Sequence, residues 1–224
     1  MGGLALIINP VASSVTRRHM DMVRSALAWA GDVNVMETTH RGHATELAQE
    51  AARSGVDALV VLGGDGAVNE VANGLAGTDT ALAPLPGGST NVYARTLGYD
   101  RRLDRAIPQL LDVLRTGTSC RVAVGLVEGG LVEGRRFCFH AGIGFDAAVV
   151  EWVDRRPSLL KRHSAHPLFV AATVATWRRT HNQNNPQFDF TLDDGTTIEG
   201  ARFAIVSKTS PYTFLGRRRM LVAP

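Results

Sequence analysis

The first hundred residues alternate between short apolar segments and amphipathic segments, and this alternation limits the fold more than any other feature. The apolar segments are "LALIINP", "VNVMETT", "ALVVLGG" and "ALAPLPGG". Each of the first three precedes a stretch with helical spacing; in the first such stretch Met20, Val23 and Leu27 recur at intervals of three and four residues. Strands that alternate with helices of about ten to fifteen residues predict a parallel sheet with right-handed crossovers.

The segments beyond Gly98 follow a different pattern. After one further amphipathic stretch, "DRAIPQLLDVLRTG", strand-type segments dominate: two flank Gly129-Gly130 and two flank Asp194-Gly195, a typical hairpin turn. A helix is predicted between these hairpins in "HPLFVAATVATWRR". The chain is therefore predicted to be an α/β protein, with a parallel-sheet domain over residues 1–105 and an antiparallel β-rich domain over residues 106–224.

Composition narrows the class of protein. The formal net charge is only +3, so the sequence does not require a nucleic-acid partner. Cys120 and Cys138 form no CxxC pair and no disulfide framework, which favours a reducing cytoplasm. The N-terminus lacks the basic start of a signal peptide, and no apolar run approaches the ~20 residues of a spanning helix. These features predict a soluble cytoplasmic protein.

The third apolar segment runs directly into Gly63-Gly64-Asp65-Gly66, and a helical pattern begins at once. Glycine lets a ligand approach the backbone closely, and the N-terminus of a helix presents N–H groups and a positive dipole end, which suit phosphate. The same residues also suit a tight strand-to-helix turn in which Asp65 caps the helix. This stretch by itself leaves both interpretations open.

Other standard signatures are absent from the sequence. There is no Gly-Lys pair and hence no GxxxxGK[ST] loop. The segment "GIGFDA" fits a dinucleotide fingerprint in form, but no acidic residue follows about 20 positions later. The pairs His40/His43 and His163/His166 lack a Glu base and a third ligand, so no metal site is predicted at either pair.

A loop rich in small or hydroxyl residues follows each of the four predicted parallel strands. These loops are "NPVASS", "TTHRGHA", "GGDGAVNE" and "PGGSTN". Ligands of open α/β sheets bind at the edge formed by the carboxyl ends of the strands. Loops of this composition offer N–H and O–H donors without crowding a triphosphate. Four such loops on one edge predict a phosphate-binding site.

The combination of these loops resembles the diacylglycerol kinase catalytic domain family, which includes bacterial lipid kinases and sphingosine kinases. The stretch "GGDGAVNE" matches the family pattern GGDGTxNE, and "NPVAS", "THRGHA", "GSTN" and "GIGFDA" match its other elements in the family's order. NAD kinases and phosphofructokinases share the GGDG loop, so the resemblance implies an N-terminal domain of that type. The later segment "GIGFDAAVV" favours a lipid substrate.

The resemblance also implies roles for single residues. Asp146 would face the lipid headgroup, and Asp65 would either hold Mg²⁺ through water or act as the base that deprotonates the attacking hydroxyl. Lys161 and Arg162 are expected to form a solvated basic face in preference to phosphate contacts. The residues expected around ATP are Asn9, Pro10, Thr39, Gly64, Asp65, Gly66, Glu70 and Ser89.

Two features depart from the family pattern. Ala67 replaces the usual Thr after GGDG, and the loss of that hydroxyl is expected to cost about 0.5–1.5 kcal/mol if it bonds ATP. The sequence ends at Pro224, whereas family members continue into a segment with an acidic residue, proposed as catalytic in the diacylglycerol kinase branch, and into final strands. The second domain is therefore expected to be incomplete at its C-terminus, with apolar edges that favour a homodimer.

The sequence thus predicts an ATP- and Mg²⁺-dependent lipid kinase that transfers the γ-phosphate to a lipid hydroxyl. The expected substrate is diacylglycerol or a related lipid, met at the membrane surface by a peripherally associated protein. An NAD kinase is one alternative, and it would phosphorylate a soluble dinucleotide. The other alternative is a catalytically impaired module that binds nucleotide or lipid without turnover.

Overall fold

A four-stranded parallel sheet forms the first part of the molecule. The computed structural model describes residues 3–129, 132–154, 171–178 and 188–221. The sheet has the strand order β2-β1-β3-β4, and the parallel architecture predicted from the alternation is confirmed. Its strands are β1 (Gly3–Ile8), β2 (Asn34–Glu37), β3 (Val56–Gly63) and β4 (Ala81–Pro86).

Helices connect these strands and continue beyond the sheet. They are α1 (Arg17–Leu27), α2 (His43–Arg53), α3 (Asp65–Gly74), α4 (Val92–Thr96), α5 (Leu103–Thr116) and α6 (Phe145–Asp154). The sequence pattern does not predict α4, because its five residues are too few to show a helical repeat. Residues 171–178 are helical as predicted, and the remainder of that predicted helix lies outside the described residues.

Apolar side chains cover the parallel sheet on both faces. Neighbouring residues of a strand point to opposite faces. Leu6 and Ile8 of β1 therefore pack in one cluster with residues of α1 and α5, whereas Ala5 and Ile7 pack in another with residues of α2 and α3. All four of these β1 side chains are fully buried. This burial on both faces explains why β1 reads as a continuous apolar run.

Beyond the parallel sheet, the described strands pair two by two in antiparallel fashion. The hairpins predicted around residues 129 and 194 are present as the pairs β5–β6 and β8–β9. Two further strands, β7 and β10, pair with each other although they are far apart in sequence. The strands are β5 (Gly125–Gly129), β6 (Val132–Phe137), β7 (His140–Gly144), β8 (Phe188–Thr191), β9 (Thr197–Ala201), β10 (Phe203–Ser207), β11 (Thr213–Leu215) and β12 (Arg218–Met220).

The chain divides into two compact units. The first contains Met1–Phe139 and Lys208–Pro224, and hence the parallel sheet with the hairpins β5–β6 and β11–β12. The second contains His140–Ser207, and hence α6 and the strands β7 to β10. The domain boundary near residue 105 stays a prediction. None of the described helices is long and apolar enough to cross a membrane.

Candidate functional site

The loops that follow the parallel strands meet at the carboxyl edge of the sheet. Gly87 N, after β4, donates a hydrogen bond to Gly63 O at 2.8 Å. Ser14 N, in the loop after β1, donates to Gly87 O at 2.9 Å. Thr38 N, after β2, donates to Ile8 O at 2.9 Å. Backbone hydrogen bonds thus join the loops after β1 and β4 to each other, the loop after β4 to the end of β3, and the residue after β2 to the end of β1.

Two glycine pairs let the loops after β3 and β4 touch backbone to backbone. A Cβ atom at Gly88 would lie 2.7 Å from the Cα atom of Gly64. One at Gly87 would lie 2.9 Å from the Cα atom of Gly63. Separations this short are essentially never seen for real Cβ atoms. The contact between the two loops therefore accounts for the glycine at positions 87 and 88 without any ligand.

Gly66 is different, because packing does not account for it. It lies in the first turn of α3, and a Cβ atom there would meet no described atom within 4 Å. Its backbone is not in the left-handed region that favours glycine, and the residue is exposed. An alanine at this position would stabilise the helix by about 0.5–1 kcal/mol. The glycine leaves its backbone open to a ligand.

Asp65 is the first residue of α3, and Gly64 occupies the N-cap position. The interpretation of Asp65 as the cap of its own helix is therefore wrong. Its Oδ1 atom instead accepts a hydrogen bond from the backbone N of Tyr93 at 3.0 Å. Tyr93 lies in the first turn of α4, whose early N–H groups have no partner within the helix. The half-buried carboxylate of Asp65 thus fixes the start of α4 beside the start of α3.

Asn91, which the sequence analysis does not single out, closes the loop after β4. Its side chain accepts a hydrogen bond from Gly88 N at 2.7 Å and donates one to Gly88 O at 2.8 Å. Its backbone is left-handed, with φ of 51°, and the residue is 6% exposed. Asn tolerates this conformation better than most residues. The asparagine at the end of "PGGSTN" is therefore a turn signal that could have been used.

Arg95 of α4 connects this loop to the hairpin β11–β12. Its guanidinium donates to Thr90 O at 3.4 Å and to Gly216 O at 2.9 Å. It also lies over the ring of Phe214, 3.6 Å from the ring centroid. Burial is the main cause that lowers the pKa of Arg95, and Asp65 is one of the carboxylates that oppose this shift. The edge therefore contains a guanidinium, that of Arg95, and a carboxylate, that of Asp65, each fixed by hydrogen bonds. No local sequence pattern indicates that these two residues lie at the same edge.

Thr39 lies just after β2 with two histidines around its hydroxyl. Its Oγ1 atom lies 2.9 Å from His40 Nδ1 and 3.0 Å from His43 Nδ1. The backbone N of Thr39 donates to His43 Nδ1 at 3.1 Å. The two imidazole rings are stacked, with centroids 4.8 Å apart and planes 6° apart. Within the described part of the chain, no group of three or more His, Cys, Asp or Glu side chains could hold a metal ion.

The other predicted ATP residues also follow the strands of this sheet. The Oδ1 atom of Asn9 accepts a hydrogen bond from Val11 N at 3.2 Å, and Pro10 between them is half-buried. Glu70 is half-buried in the second turn of α3, and Ser89 is exposed in the loop after β4. The structure thus brings the nucleotide candidates together on one edge of the first unit.

The candidate for the lipid headgroup belongs to the second unit. Asp146 belongs to α6 in the unit His140–Ser207, and the placement of its side chain lies outside what the structure describes. Lys161 and Arg162, expected to form a solvated basic face in preference to phosphate contacts, lie outside the described residues. The role of each of these three residues stays a prediction.

Comparisons with known proteins agree on one family. The model of the diacylglycerol kinase catalytic domain matches residues 3–127, which is more than half of the chain. Over 128 residues the chain is 35% identical to a diacylglycerol kinase of Bacillus subtilis (strain 168), a match that covers 55% of this chain and 41% of the relative. Over 112 residues it is 31% identical to a diacylglycerol kinase of Mycobacterium tuberculosis (strain CDC 1551 / Oshkosh), covering 50% of this chain and 35% of the relative.

The solved structures lead to the same family. The crystal structure of a diacylglycerol kinase from Bacillus anthracis str. Sterne matches with a TM-score of 0.68 and 27% sequence identity, covering 95% of this chain and 68% of that one. The sequence matches to the two curated relatives span about two fifths of their length or less. The resemblance inferred from the motifs is confirmed, and the chain belongs to the diacylglycerol kinase catalytic domain family.

Proposed function

We propose that this chain is an ATP-dependent lipid kinase that transfers the γ-phosphate of ATP to a lipid hydroxyl, with diacylglycerol as the substrate. The observation that carries the proposal is the open backbone at Gly66, in the first turn of α3, whereas packing already accounts for the neighbouring Gly87 and Gly88. Membership of the family supports the type of reaction, and the two curated relatives are named diacylglycerol kinases.

The edge has the physical properties that a triphosphate requires. The first N–H groups of α3 have no acceptor within the helix, and the helix dipole is positive at this end. The exposed hydroxyl of Ser89 adds a donor from the neighbouring loop. Because the loops are joined by backbone hydrogen bonds, these donors are held in place before the nucleotide arrives.

Asp65 is proposed to act on the lipid hydroxyl. In the reaction, the lipid oxygen forms a bond to the γ-phosphorus, the bond between that phosphorus and the β,γ-bridging oxygen breaks, and ADP leaves. The hydroxyl proton passes to a base, and Asp65 either takes it or orients the hydroxyl. The hydrogen bond from Tyr93 N to Oδ1 fixes the direction of this carboxylate, which supports either role.

Mg²⁺ fits this edge as a partner of the phosphates. Asp65 and Glu70 provide two half-buried carboxylates in the first two turns of α3. Mg²⁺ is commonly held by one or two carboxylates together with substrate phosphates, and it does not need a cage made of protein alone. Asp65, at the start of α3, is the carboxylate that would hold Mg²⁺ through water if it does not act as the base. The ion would offset the negative charge of the phosphates.

The second unit is proposed to provide the lipid site, with Asp146 of α6 facing the headgroup. A lipid substrate requires contact with a membrane surface, so the proposed location is cytoplasmic and peripheral to the membrane. The exposed apolar side chains of this unit, among them Ile143, Trp177 and Phe203, are the surfaces through which the proposed homodimer would form.

Two substitutions separate nucleotide chemistry from folding. Gly66→Ala adds a methyl group in open space, so it should keep the fold. Because that methyl group would stand where the ligand is proposed to contact the backbone, it should weaken ATP binding by about tenfold or more, the typical loss for a hydrogen bond to a charged group. Asp65→Asn keeps the side-chain oxygen that accepts from Tyr93 N. It should therefore retain α4 while lowering phosphoryl transfer by about 10²–10⁴-fold.

The measurements are calorimetric titration with ATP and Mg²⁺, and transfer of labelled phosphate from ATP to diacylglycerol in mixed micelles. Asp79→Asn is the matched control, because Asp79 is exposed and its contact is an ion pair with Arg121 at 3.8 Å. Unchanged ATP affinity in Gly66→Ala would contradict the proposed site. Phosphorylation of NAD without lipid would indicate an NAD kinase, and ATP binding without transfer to any lipid would indicate a binding module.

A further inference from the structure

Asn69 is a polar residue of the motif "GGDGAVNE", and the proposed function gives it no role. It lies in the second turn of α3, and Asn73 lies one turn later on the same side of the helix. Both side-chain amides form hydrogen bonds to the backbone of β6 or of the residue that follows it. Because the first turn of α3 is proposed to hold the triphosphate, these bonds connect the proposed phosphate site to another part of the chain.

The directions of these hydrogen bonds are fixed by the backbone groups. Arg136 N donates to Asn73 Oδ1 at 2.8 Å, and Cys138 N donates to Asn69 Oδ1 at 3.0 Å. Arg136 O accepts from the Nδ2 atoms of both asparagines, at 2.8 Å from Asn73 and at 3.1 Å from Asn69. A backbone N–H can only donate and a carbonyl can only accept. Each amide therefore has one orientation that satisfies all its contacts to this segment.

The two amides bind the edge of β6 as a neighbouring strand would. Alternate residues of a strand direct their N–H and C=O groups to the same edge. The opposite edge of β6 pairs with β5 in antiparallel fashion. The bonds from α3 are part-buried, so they satisfy backbone groups for which water is a poor substitute. The end of β6 is thus attached to α3 through its backbone.

The attached segment leads directly to the place where the chain passes between its two units. The chain leaves the first unit after Phe139 and returns to it at Lys208. Lys208 N donates a hydrogen bond to Phe139 O at 2.7 Å, so the outgoing and returning segments are bonded to each other. Cys138, whose N–H donates to Asn69, is the residue before Phe139. We call Cys138, Phe139 and Lys208 the junction.

We propose that Asn69 is a positioning residue for phosphoryl transfer, because it fixes the junction to the helix that begins at the proposed phosphate site. The inference rests on the proposed function, in which ATP binds to the first unit and the lipid to the second. Both connections to the second unit start at the junction, so the position of the junction affects how the lipid hydroxyl is presented to the γ-phosphate. The loops proposed to contact ATP are held by other hydrogen bonds.

Asn69→Leu and Asn69→Asp test this role. Leucine neither donates nor accepts, whereas aspartate keeps an oxygen that can accept from Cys138 N. In Asn69→Leu, kcat/KM for transfer to diacylglycerol in mixed micelles should fall about 10- to 100-fold, the effect of a displacement of about 1 Å. The Kd of ATP, measured by calorimetry, should stay within about twofold. Asn69→Asp places a second oxygen against Arg136 O, so its loss of transfer should be smaller than that of Asn69→Leu but measurable.

Asn73→Leu and Thr80→Val are the matched controls. Asn73→Leu removes bonds of the same kind one turn further along α3 and leaves Cys138 N bonded to Asn69. Thr80→Val removes a part-buried bond from Thr80 Oγ1 to Val56 O at 2.9 Å, at the amino ends of β3 and β4. Transfer should fall less in Asn73→Leu than in Asn69→Leu, and it should stay within about twofold in Thr80→Val. Far-ultraviolet circular dichroism checks that each variant is folded.

Amide hydrogen exchange tests the junction without any substrate. Exchange of single amides is followed by nuclear magnetic resonance in the unchanged chain and in the variants. In Asn69→Leu the amides of Cys138 and Lys208 should exchange about 3- to 10-fold faster, the usual range for one hydrogen bond. Lys208 is included because its N–H is bonded to the segment that Asn69 holds. In Asn73→Leu the amide of Arg136 should change most.

The outcomes separate this inference from the proposed function. Unchanged exchange at Lys208 in Asn69→Leu would overturn the inference while the lipid kinase stands, and so would equal losses of transfer in Asn69→Leu and Asn73→Leu. A loss of ATP affinity as large as the loss of transfer would place Asn69 in the nucleotide site and overturn it as well. If the unchanged chain phosphorylated no lipid, the proposed function would fail, and the role of Asn69 in transfer would fail with it.

Discussion

The parallel sheet and the unit His140–Ser207 bury their apolar side chains to very different extents. Leu62 of β3 is fully buried in a cluster that spans the sheet and its helices. In the second unit, Leu192 is 47% exposed and Phe203 is 56% exposed. The buried apolar cluster described there consists of Val149, Val153 and Ala172.

This contrast shows that strand pairing and core formation are separate matters. The pairs β7–β10 and β8–β9 satisfy backbone hydrogen bonds, but a two-stranded pair by itself covers neither of its faces. The four-stranded sheet has apolar clusters on both faces, and each buried Å² of apolar surface contributes roughly 25 cal/mol. The proposed nucleotide edge thus stands on the well-packed unit, where loops can be held in fixed positions.

A matched pair of leucine substitutions should give the largest contrast. Leu62→Ala should lower the free energy of unfolding of the first unit by about 2–5 kcal/mol, because it removes a fully buried side chain and leaves a cavity. Leu192→Ala should change stability by less than about 0.5–1 kcal/mol, because its side chain is already half in solvent. Urea unfolding followed by tryptophan fluorescence measures both values.

The tryptophans allow each unit to be followed separately. Trp29 lies in the first unit, and Trp152 and Trp177 lie in the second. Replacing Trp29 by Phe, or the other two by Phe, leaves a reporter in one unit. Equal losses of stability from Leu62→Ala and Leu192→Ala would show that Leu192 is buried in solution. That result would contradict the difference in burial between the two units.

Alkaline pH should destabilise the first unit before the second. Burial raises the pKa of the Cys138 thiol from 9.0 to about 11, so the folded state holds the neutral form. The contribution of the neutral Cys138 thiol to the free energy of unfolding is therefore fully present below pH 9.0, and it is lost as the pH rises from 9.0 through about 11. The loss is on the order of 2–3 kcal/mol at most. Burial acts in the same direction on Tyr93, whose pKa is raised to about 12.

Cys138→Ala tests the source of that pH dependence. Urea unfolding at several pH values between 8 and 11, with Trp29 as reporter, should show a shallower fall in the variant than in the unchanged chain. Cys120→Ala is the control, because Cys120 is exposed. This substitution should not change how steeply the free energy of unfolding falls with pH. If Cys138→Ala and the unchanged chain fall equally, the buried thiol is not the cause.

Hydrogen bonds from side chains to the backbone should also contribute more to stability in the first unit than in the second. Each of these effects should be smaller than that of Leu62→Ala. Asn73 of α3 donates to Arg136 O at 2.8 Å and accepts from Arg136 N at 2.8 Å, so it pairs with the backbone of β6 as a neighbouring strand would. Asn73→Ala should cost about 1–3 kcal/mol, because it takes this acceptor from the part-buried Arg136 N, whereas Arg136 O keeps the hydrogen bond that Asn69 donates at 3.1 Å. Asp189→Ala removes an exposed bond from Gly200 N and should cost less than about 1 kcal/mol.

Single-tryptophan unfolding again measures both costs, and the far-ultraviolet spectrum checks that α3 is retained. Asn73→Asp provides a second variant, because it keeps the oxygen that accepts from Arg136 N and loses the donor to Arg136 O. Its cost should lie between those of the unchanged chain and Asn73→Ala. A cost of Asp189→Ala as large as that of Asn73→Ala would contradict the comparison.

Local patterns were sufficient for the parallel sheet and insufficient for several other elements. The apolar runs and glycine-ended helices predict β1 to β4, α1 to α3 and α5, because each signal is complete within its own segment. The pairing of β7 with β10 is not predicted, since long-range pairing leaves no local trace. The position of Ala67 is also a result of tertiary structure: its side chain is buried in the core, and a Cβ atom at Gly63 would lie 2.8 Å from it.

The sequence by itself determined the family, the parallel sheet and the positions of the loops, because motif spacing and apolar periodicity are local properties of the chain. Only the tertiary structure decided what the residues of those loops do. It showed that Gly88 serves a contact between loops, that Asp65 accepts from Tyr93, and that two imidazoles lie within hydrogen-bond distance of the Thr39 hydroxyl. These contacts join segments that are distant in sequence or depend on side-chain direction, and a linear pattern encodes neither.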